Sequence, residues 1–370
     1  EIPPAVAKAA MDTGVATRPI AELAAYKRVL SQRVFKSGFM MRPMFERARS
    51  EPQRLVYTDG EEERVLRAVQ VVVDEGLARP ILIGRPEVID SQRLGLRLRA
   101  DVDFELCNPD SDPRYNDYVG FYQERMGRNG ITPQLAREAM RTRRTVIASV
   151  MLARGEADAM LAGPVGQFWS HLRHVLGVIG LSDGVKEAST LHAVVLDRGP
   201  LFITDTSVAI DPGPDEIARN AIRAAAEVRR FGIEPRVALL SHSNFGSRET
   251  ASSLKMRAAL TRLRELAPDF AVDGEMQADS ALDAAIRGRL LPGSTLTGEA
   301  NLLVMPDLDA ANIAYNLVKA VTGAVVVGPM LLGPELPAHI VNPTVTSRGI
   351  VNMTAVACVD ALAHKAGEPG

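Results

Sequence analysis

Short apolar runs alternate with stretches of helical periodicity along most of this chain, and that alternation restricts the fold more than any other feature. Runs suited to strands fall at residues 54–58, 80–84, 158–163, 201–206, 236–241, 300–306 and 324–331. Several are apolar on both faces, as expected of parallel strands buried between helices. Between the first two, Val65, Leu66, Val69, Val72, Val73 and Leu77 repeat near the helical period, with Gly76 close to the end. Strand, helix, strand in succession predicts right-handed crossovers and doubly wound sheets. Length adds a second constraint, because 370 residues suit two globular units.

The first 45 residues read differently. Residues 5–10 and 20–34 suit helices, broken by Gly14, Pro19 and Pro43, with no strand between them. They read as an arm from a preceding domain. The opening Glu1-Ile-Pro-Pro has neither an initiator Met nor a secretion signal, so a piece of a longer protein is expected. Residues 108–117, rich in Asp, Pro and Asn, suit a polar surface loop. The run 171–181 carries more apolar residues than one helix face needs, which predicts an interface among helices in the 165–200 region.

Charge and composition exclude several function classes. A net charge of −2 offers no concentrated basic field for nucleic acid or anionic membrane. The two cysteines, Cys107 and Cys358, lie far apart outside any CxxC, which argues for a reducing, cytoplasmic setting without disulfides or zinc. No GxGxxG occurs. Gly323 and Gly328 have P-loop spacing, but Pro329 and Met330 follow where Lys and Ser/Thr should stand. The six histidines are scattered without an HExxH.

Three segments carry candidate chemistry. Ser241-His-Ser-Asn-Phe-Gly-Ser247 follows a strand, where hydroxyls and loop amides suit phosphate or pantetheine; a helix cap with a flexible loop explains it too. Gly298-Glu-Ala-Asn301 precedes a strand, and Asp307-Leu-Asp-Ala-Ala-Asn312 follows it, with Asp309 suited to cap a helix over 310–320. Capping does not account for Asn312, Tyr315 and Asn316. The acidic residues of Asp273-Gly-Glu-Met-Gln-Ala-Asp279 suit a divalent cation or, more simply, a solvated turn. His242 reads as a loop histidine, and Asx-turn chemistry accounts for Asp205 as well as a site role does.

Together these segments resemble the phosphate acetyl/butyryltransferase family. The match runs from about Arg54 to Ala363, through the opening Arg54-Leu-Val-Tyr-Thr-Asp-Gly60, the Ser241–Ser247 loop, and Pro306-Asp-Leu-Asp-Ala-Ala-Asn-Ile-Ala-Tyr315. The segments around Pro4–Pro19, Leu239–Ser247 and Leu308–Leu317 resemble more closely the C-terminal half of large bacterial malic enzymes. That resemblance implies a two-subdomain, three-layer α/β/α fold with mostly parallel doubly wound sheets. It implies residues 1–45 as the arm, 46–150 with 331–370 as subdomain I, and 151–330 as a dimerising subdomain II. It also implies acetyl-CoA as a bound inhibitor and a homodimer or higher homo-oligomer. Malate oxidation with NADP and Mg or Mn belongs to a catalytic domain not contained in these residues; no metal or other cofactor is expected here.

Ligand contacts are expected from Ser241, Ser243, Asn244, Gly246, Ser247, Gly298, Asn301, Asn312, Tyr315, Asn316, Asn342 and Arg348. The family's charged positions fall on Phe245, Glu299, Asn316 and Ala320, its Ser-Arg pair on Asn342 and Pro343, and its catalytic aspartate on Gly349. Ser347-Arg348-Gly349 repeats the family's triplet in a shifted place. Losing one preorganised donor typically costs ~10²–10³ in rate, so these departures predict a regulatory unit without transferase activity. A working phosphate acetyltransferase, with Arg348 or arginines near Arg125 refilling the anion site, is the alternative; a structural oligomerisation module is the third.

Overall fold

The computed structural model describes residues 2–16, 20, 22, 26, 40–266 and 268–367. Helix α1 spans Ile2–Asp12, as expected of residues 5–10; the helix expected over 20–34 lies almost wholly outside the described residues. Pro43 breaks nothing, because it sits inside a helix covering residues 40–50 (α2). Met40, Met41, Met44 and Phe45 of that helix are buried in the main core, so tertiary burial overrides the local signal.

Two sheets form the frame. The first holds β1 (Gln53–Tyr57), β2 (Ala78–Ile83), β3 (Glu105–Cys107), β4 (Ala159–Ala162) and β11 (Ala338–Ile340), all parallel, in the order β11-β4-β1-β2-β3. The second holds β5 (Ser189–Leu196), β6 (Gly199–Thr204), β7 (Arg236–Leu240), β8 (Ala271–Met276), β9 (Leu302–Val304) and β10 (Val325–Leu332), in the order β10-β5-β6-β9-β7-β8. Here β6, β9, β7 and β8 run parallel while β10, β5 and β6 pair antiparallel.

All seven expected strands exist. Four more, β3, β5, β8 and β11, carried too little signal: β3 and β11 are three residues long, and β8 holds Asp273, Gly274 and Glu275. Because β4 belongs to the first sheet, that layer runs past residue 150, and the second begins at Ser189. The 165–200 region is also only partly helical. Its β-branched Thr190, Val194 and Val195 sit in β5, which turns into β6 after Leu196.

Local chemistry explains the helices that shape the site. Helix α3 (Glu63–Asp74) is capped by Glu62, whose carboxylate accepts from the amides of Arg64 and Val65. It buries Val65, Leu66, Val69 and Val72 and ends before Gly76, which takes φ +63°. Helix α13 (Leu308–Thr322) is capped by Asp307, not Asp309, since the Asp307 carboxylate takes the Ala310 amide. Residues 108–117 are a loop only at first, because α5 (Tyr115–Met126) starts within them. Helix α14 (Ser347–Lys365) is buried nearly all round from Ile350 to Val359 and packs against β1, β4, β10 and α3. Each fully buried Val or Ile contributes about 1.5–3 kcal/mol, so α14 ties both sheets into one core.

Part of the apolar run 171–181 is buried within the protomer, in the core around β4 and α7 (Arg144–Ala153). On α8 (Phe168–Val178), Leu172, Val175 and Val178 are buried, as is Ile179 just beyond it. The exposed apolar stripe lies elsewhere, on α13, where Ile313, Leu317 and Val321 are 64%, 60% and 77% exposed.

Candidate functional site

A cavity of about 290 Å³ opens between the second sheet and α14. Helix α13 supplies Tyr315 and Lys319, the first half of β10 supplies Gly328, and the segment from β11 into α14 supplies Asn342, Arg348 and Asn352. Of the residues expected to contact a ligand, Tyr315, Asn342 and Arg348 thus line one cavity. Lys319, Gly328 and Asn352 were missed; Lys319 stands one turn after Tyr315, the spacing that places two residues on one face.

The walls are held by long-range bonds. Arg64 donates to the carbonyls of Pro343, Val345 and Pro164, fixing the segment that carries Asn342. Arg348 lies over the Phe45 ring at 5.1 Å, and Lys319 sits 5.8 Å from the centre of the Tyr315 ring. Behind Tyr315, His192 of β5 stacks at 4.0 Å between ring centroids. Burial raises the Tyr315 hydroxyl to about 12. Burial, followed by the charge of Lys319, lowers His192 to about 3, so its imidazole is neutral. Gly349 belongs to the first turn of α14, where a Cβ would meet Val345 Cγ2 at 2.8 Å.

The other expected contacts do not line this cavity, although Asn312 and Asn316 share α13 with Tyr315. Ser241, Ser243, Asn244, Gly246 and Ser247 follow the C-terminal end of β7, four strands from β10. At about 4.8 Å per strand that is on the order of 19 Å. Gly298 and Asn301 precede β9 at the opposite pole of the parallel strands, where Asn301 Oδ1 accepts the Arg236 amide at the start of β7. Glu299 is there too, 4.0 Å from Arg198. The six residues from Arg236 to Ser241 extend roughly 16 Å, so the 241–247 loop and residues 298–301 do not converge. Asn312 donates to the Thr206 carbonyl, and Asn316 donates back to Asn312.

The 241–247 loop has its own internal anion. Glu275, 1% exposed on β8, accepts from Ser243 Oγ at 3.0 Å and the Gly246 amide at 2.6 Å, with Arg257 Nε at 3.4 Å. Ser247 Oγ takes the Asn244 amide, and Asn244 pairs with Gln277. Phe245 projects outward from a backbone at φ +48°. The acidic residues of 273–279 diverge: Asp273 accepts from Arg264, Ser294 and the Thr295 amide, and Asp279 takes the Ser280 amide. Asp205 is likewise structural, accepting from Thr190 and from the amides of Ser207, Val208 and Ala209.

Strand order reverses between β1 and β4, and Asp59 and Glu61 follow the C-terminal end of β1. Burial raises the Asp59 carboxyl there. Glu61 is only partly buried, and bonds from Arg85 and Arg144 outweigh its desolvation and hold it at about 2. These charges already have partners.

Residues 39–358 match the family model described as phosphate acetyl/butaryl transferase. The chain belongs to that family. It is 54% identical over 362 residues to an NAD-dependent malic enzyme of Rhizobium meliloti, covering 97% of this chain and 47% of that protein. It is 50% identical to an NADP-dependent malic enzyme of Salmonella typhimurium, covering 98% of this chain and 48% of that one. The chain thus spans about half the length of these malic enzymes. A phosphate acetyltransferase of Clostridium acetobutylicum is 31% identical across 87% of this chain and 98% of its own. Among solved structures, a Streptococcus pyogenes phosphotransacetylase matches with TM-score 0.80 at 26% identity, covering 87% of this chain and 98% of that one. The family and the α/β/α fold expected from the motifs are therefore established.

Proposed function

We propose that this chain is the regulatory half of a malic enzyme, binding acetyl-CoA in the cavity beside α13 as an allosteric inhibitor and lacking transferase activity. The observation that carries the reading is the cavity's lining, which combines two cations, Lys319 and Arg348, with a predominantly neutral surface. Those cations suit phosphates; the neutral remainder suits a pantetheine arm. At about 290 Å³ the space lies just below the ~300–1,000 Å³ of ordinary small-molecule pockets, enough for the arm but not the whole cofactor. Higher identity to malic enzymes than to the acetyltransferase, 50–54% against 31%, supports the assignment. In this reading malate oxidation, NADP and the divalent metal belong to the rest of that longer, cytoplasmic protein.

Two features weigh against catalysis. Phe245 and Glu299 lie away from the cavity, and Asn342, Pro343 and Gly349 bring it no charge. The presence of Lys319 and Arg348 favours the second reading, an active phosphate acetyltransferase. Self-association belongs to the same proposal, with the stripe of Ile313, Leu317 and Val321 as the surface that favours it; light scattering at micromolar concentration reads it. As an inhibitor, acetyl-CoA must bind one state of the whole enzyme better than another. Calorimetry with acetyl-CoA, alongside a turnover assay with acetyl phosphate and CoA, tests the reading. Binding without turnover is expected; turnover near a typical ~10 s⁻¹ would overturn it.

A further inference from the structure

Three side-chain polar atoms in and directly behind the cavity wall make no hydrogen bond. Asn352, fully buried on α14, lines the cavity with both Oδ1 and Nδ2 unpaired. His192, 1% exposed on β5, leaves Nε2 unpaired. Its ring lies behind two lining residues. One face stacks on Tyr315, and Cδ2, the carbon bonded to Nε2, is 3.0 Å from where a Cβ of Gly328 would stand. An unsatisfied buried polar group destabilises the fold, and folding alone would be served as well by Leu at 352.

The adjoining hydrogen-bond chain fixes the histidine tautomer. Thr190 Oγ1 gives its one proton to Asp205 Oδ1 at 2.5 Å. It can therefore only accept in its 3.1 Å contact with Thr206 Oγ1. The proton of Thr206 fills that contact, so Thr206 accepts from His192 Nδ1 at 2.6 Å. Any other order leaves one contact without a proton, and the terminal carboxylate polarises the chain in this direction. Nε2 is then a bare lone pair, a hydrogen-bond acceptor.

We propose that the cavity takes an amide-bearing chain, with His192 Nε2 accepting an amide N–H from beside Gly328 and Asn352 bonding an amide carbonyl from the α14 side. The pantetheine arm of a CoA thioester is such a chain, so this contact rests on, and narrows, the acetyl-CoA reading. The groups are complementary in kind: one wall offers only an acceptor, the other a donor and an acceptor. Neither depends on the 241–247 loop.

Acetyl-CoA and free pantetheine are titrated calorimetrically into the 370-residue chain, its His192→Phe variant and its Asn352→Leu variant, with melting curves for each. Asn352→Leu is expected to melt at or above the wild type and His192→Phe below it, because Thr206 loses its Nδ1 donor, and both to bind about 5–10-fold more weakly. In ¹⁵N spectra of the wild type, the His192 Nε2 resonance is expected to move when pantetheine is added. Wild-type affinity in both folded variants, with an unmoved resonance, overturns the proposal. Should one variant fail to fold, the other and the resonance decide it. Pantetheine moving Nε2 while acetyl-CoA gives no heat keeps the contact and removes the acetyl-CoA reading. Acetyl-CoA heat retained in full by both variants does the reverse, and silence from both probes removes both.

Discussion

The 241–247 loop and the cavity beside α13 are both polar, yet they hold their polar groups in opposite states. In the loop, the donors of Ser243 and Gly246 are committed to Glu275, and Asn244 to Gln277. In the cavity, Asn352 and His192 keep atoms with no partner. A satisfied loop stabilises the fold and offers a ligand little. An unsatisfied wall costs stability and gains only when something binds. Residue type thus indicates which chemistry is possible, and partner geometry indicates whether it is still available.

The most sensitive test of that contrast is Glu275→Ala. It removes the acceptor of two loop donors in a fully packed site, and a loss of about 2–4 kcal/mol in urea unfolding is expected. A loss below ~0.5 kcal/mol would mean the loop donors are not committed, and the contrast with the cavity would collapse.

A third polar region sharpens it. Glu227 of α9 (Pro214–Arg230) is buried with Oε1 unpaired, beside Arg230, Asp360 and His339. Burial, then the charge of Asp360, pushes the Glu227 carboxyl well above the usual carboxylate range. Asp360 is buried as well, but bonds from His339 and Arg230 outweigh that and hold it low. The folded protein therefore keeps a proton on Glu227 that the unfolded chain releases. That stability is complete below the unfolded value and is lost as pH rises through the folded one. Glu227→Gln is expected to flatten the decline from mildly acid to mildly alkaline pH, and to exceed wild type at the upper end by on the order of 1 kcal/mol. Parallel pH–stability curves for the two proteins would show that this unpaired atom is not held by a proton.

The smallest effect is expected at Ser241. Its hydroxyl accepts only the Ser243 amide at 3.2 Å and contacts His242 at 3.5 Å. Ser241→Ala should change stability by less than ~0.5 kcal/mol and acetyl-CoA affinity less than about twofold. A tenfold loss of affinity would return the loop to the ligand site.

Much of the fold was legible because apolar periodicity is local: all seven expected strands and the amphipathic α3 can be read within windows of a dozen residues. The polar strand β8 was not, since Asp273 and Glu275 are buried only because Ser294, Arg264 and the 241–247 loop reach them from elsewhere. At the site, Tyr315, Asn342 and Arg348 were legible through family motifs. His192 lies inside the apolar run of β5 and Asn352 within α14, so neither carries a local signal.

Periodicity and the Pro306–Tyr315 motif by themselves determined the layers, the crossovers and the family. Only tertiary structure decided which polar groups remain free, those of the serine-rich loop being committed and those of Asn352 and His192 not. Hydrogen-bond satisfaction joins residues far apart in the chain, such as Ser243 with Glu275 or His192 with Thr206, and no local pattern encodes it.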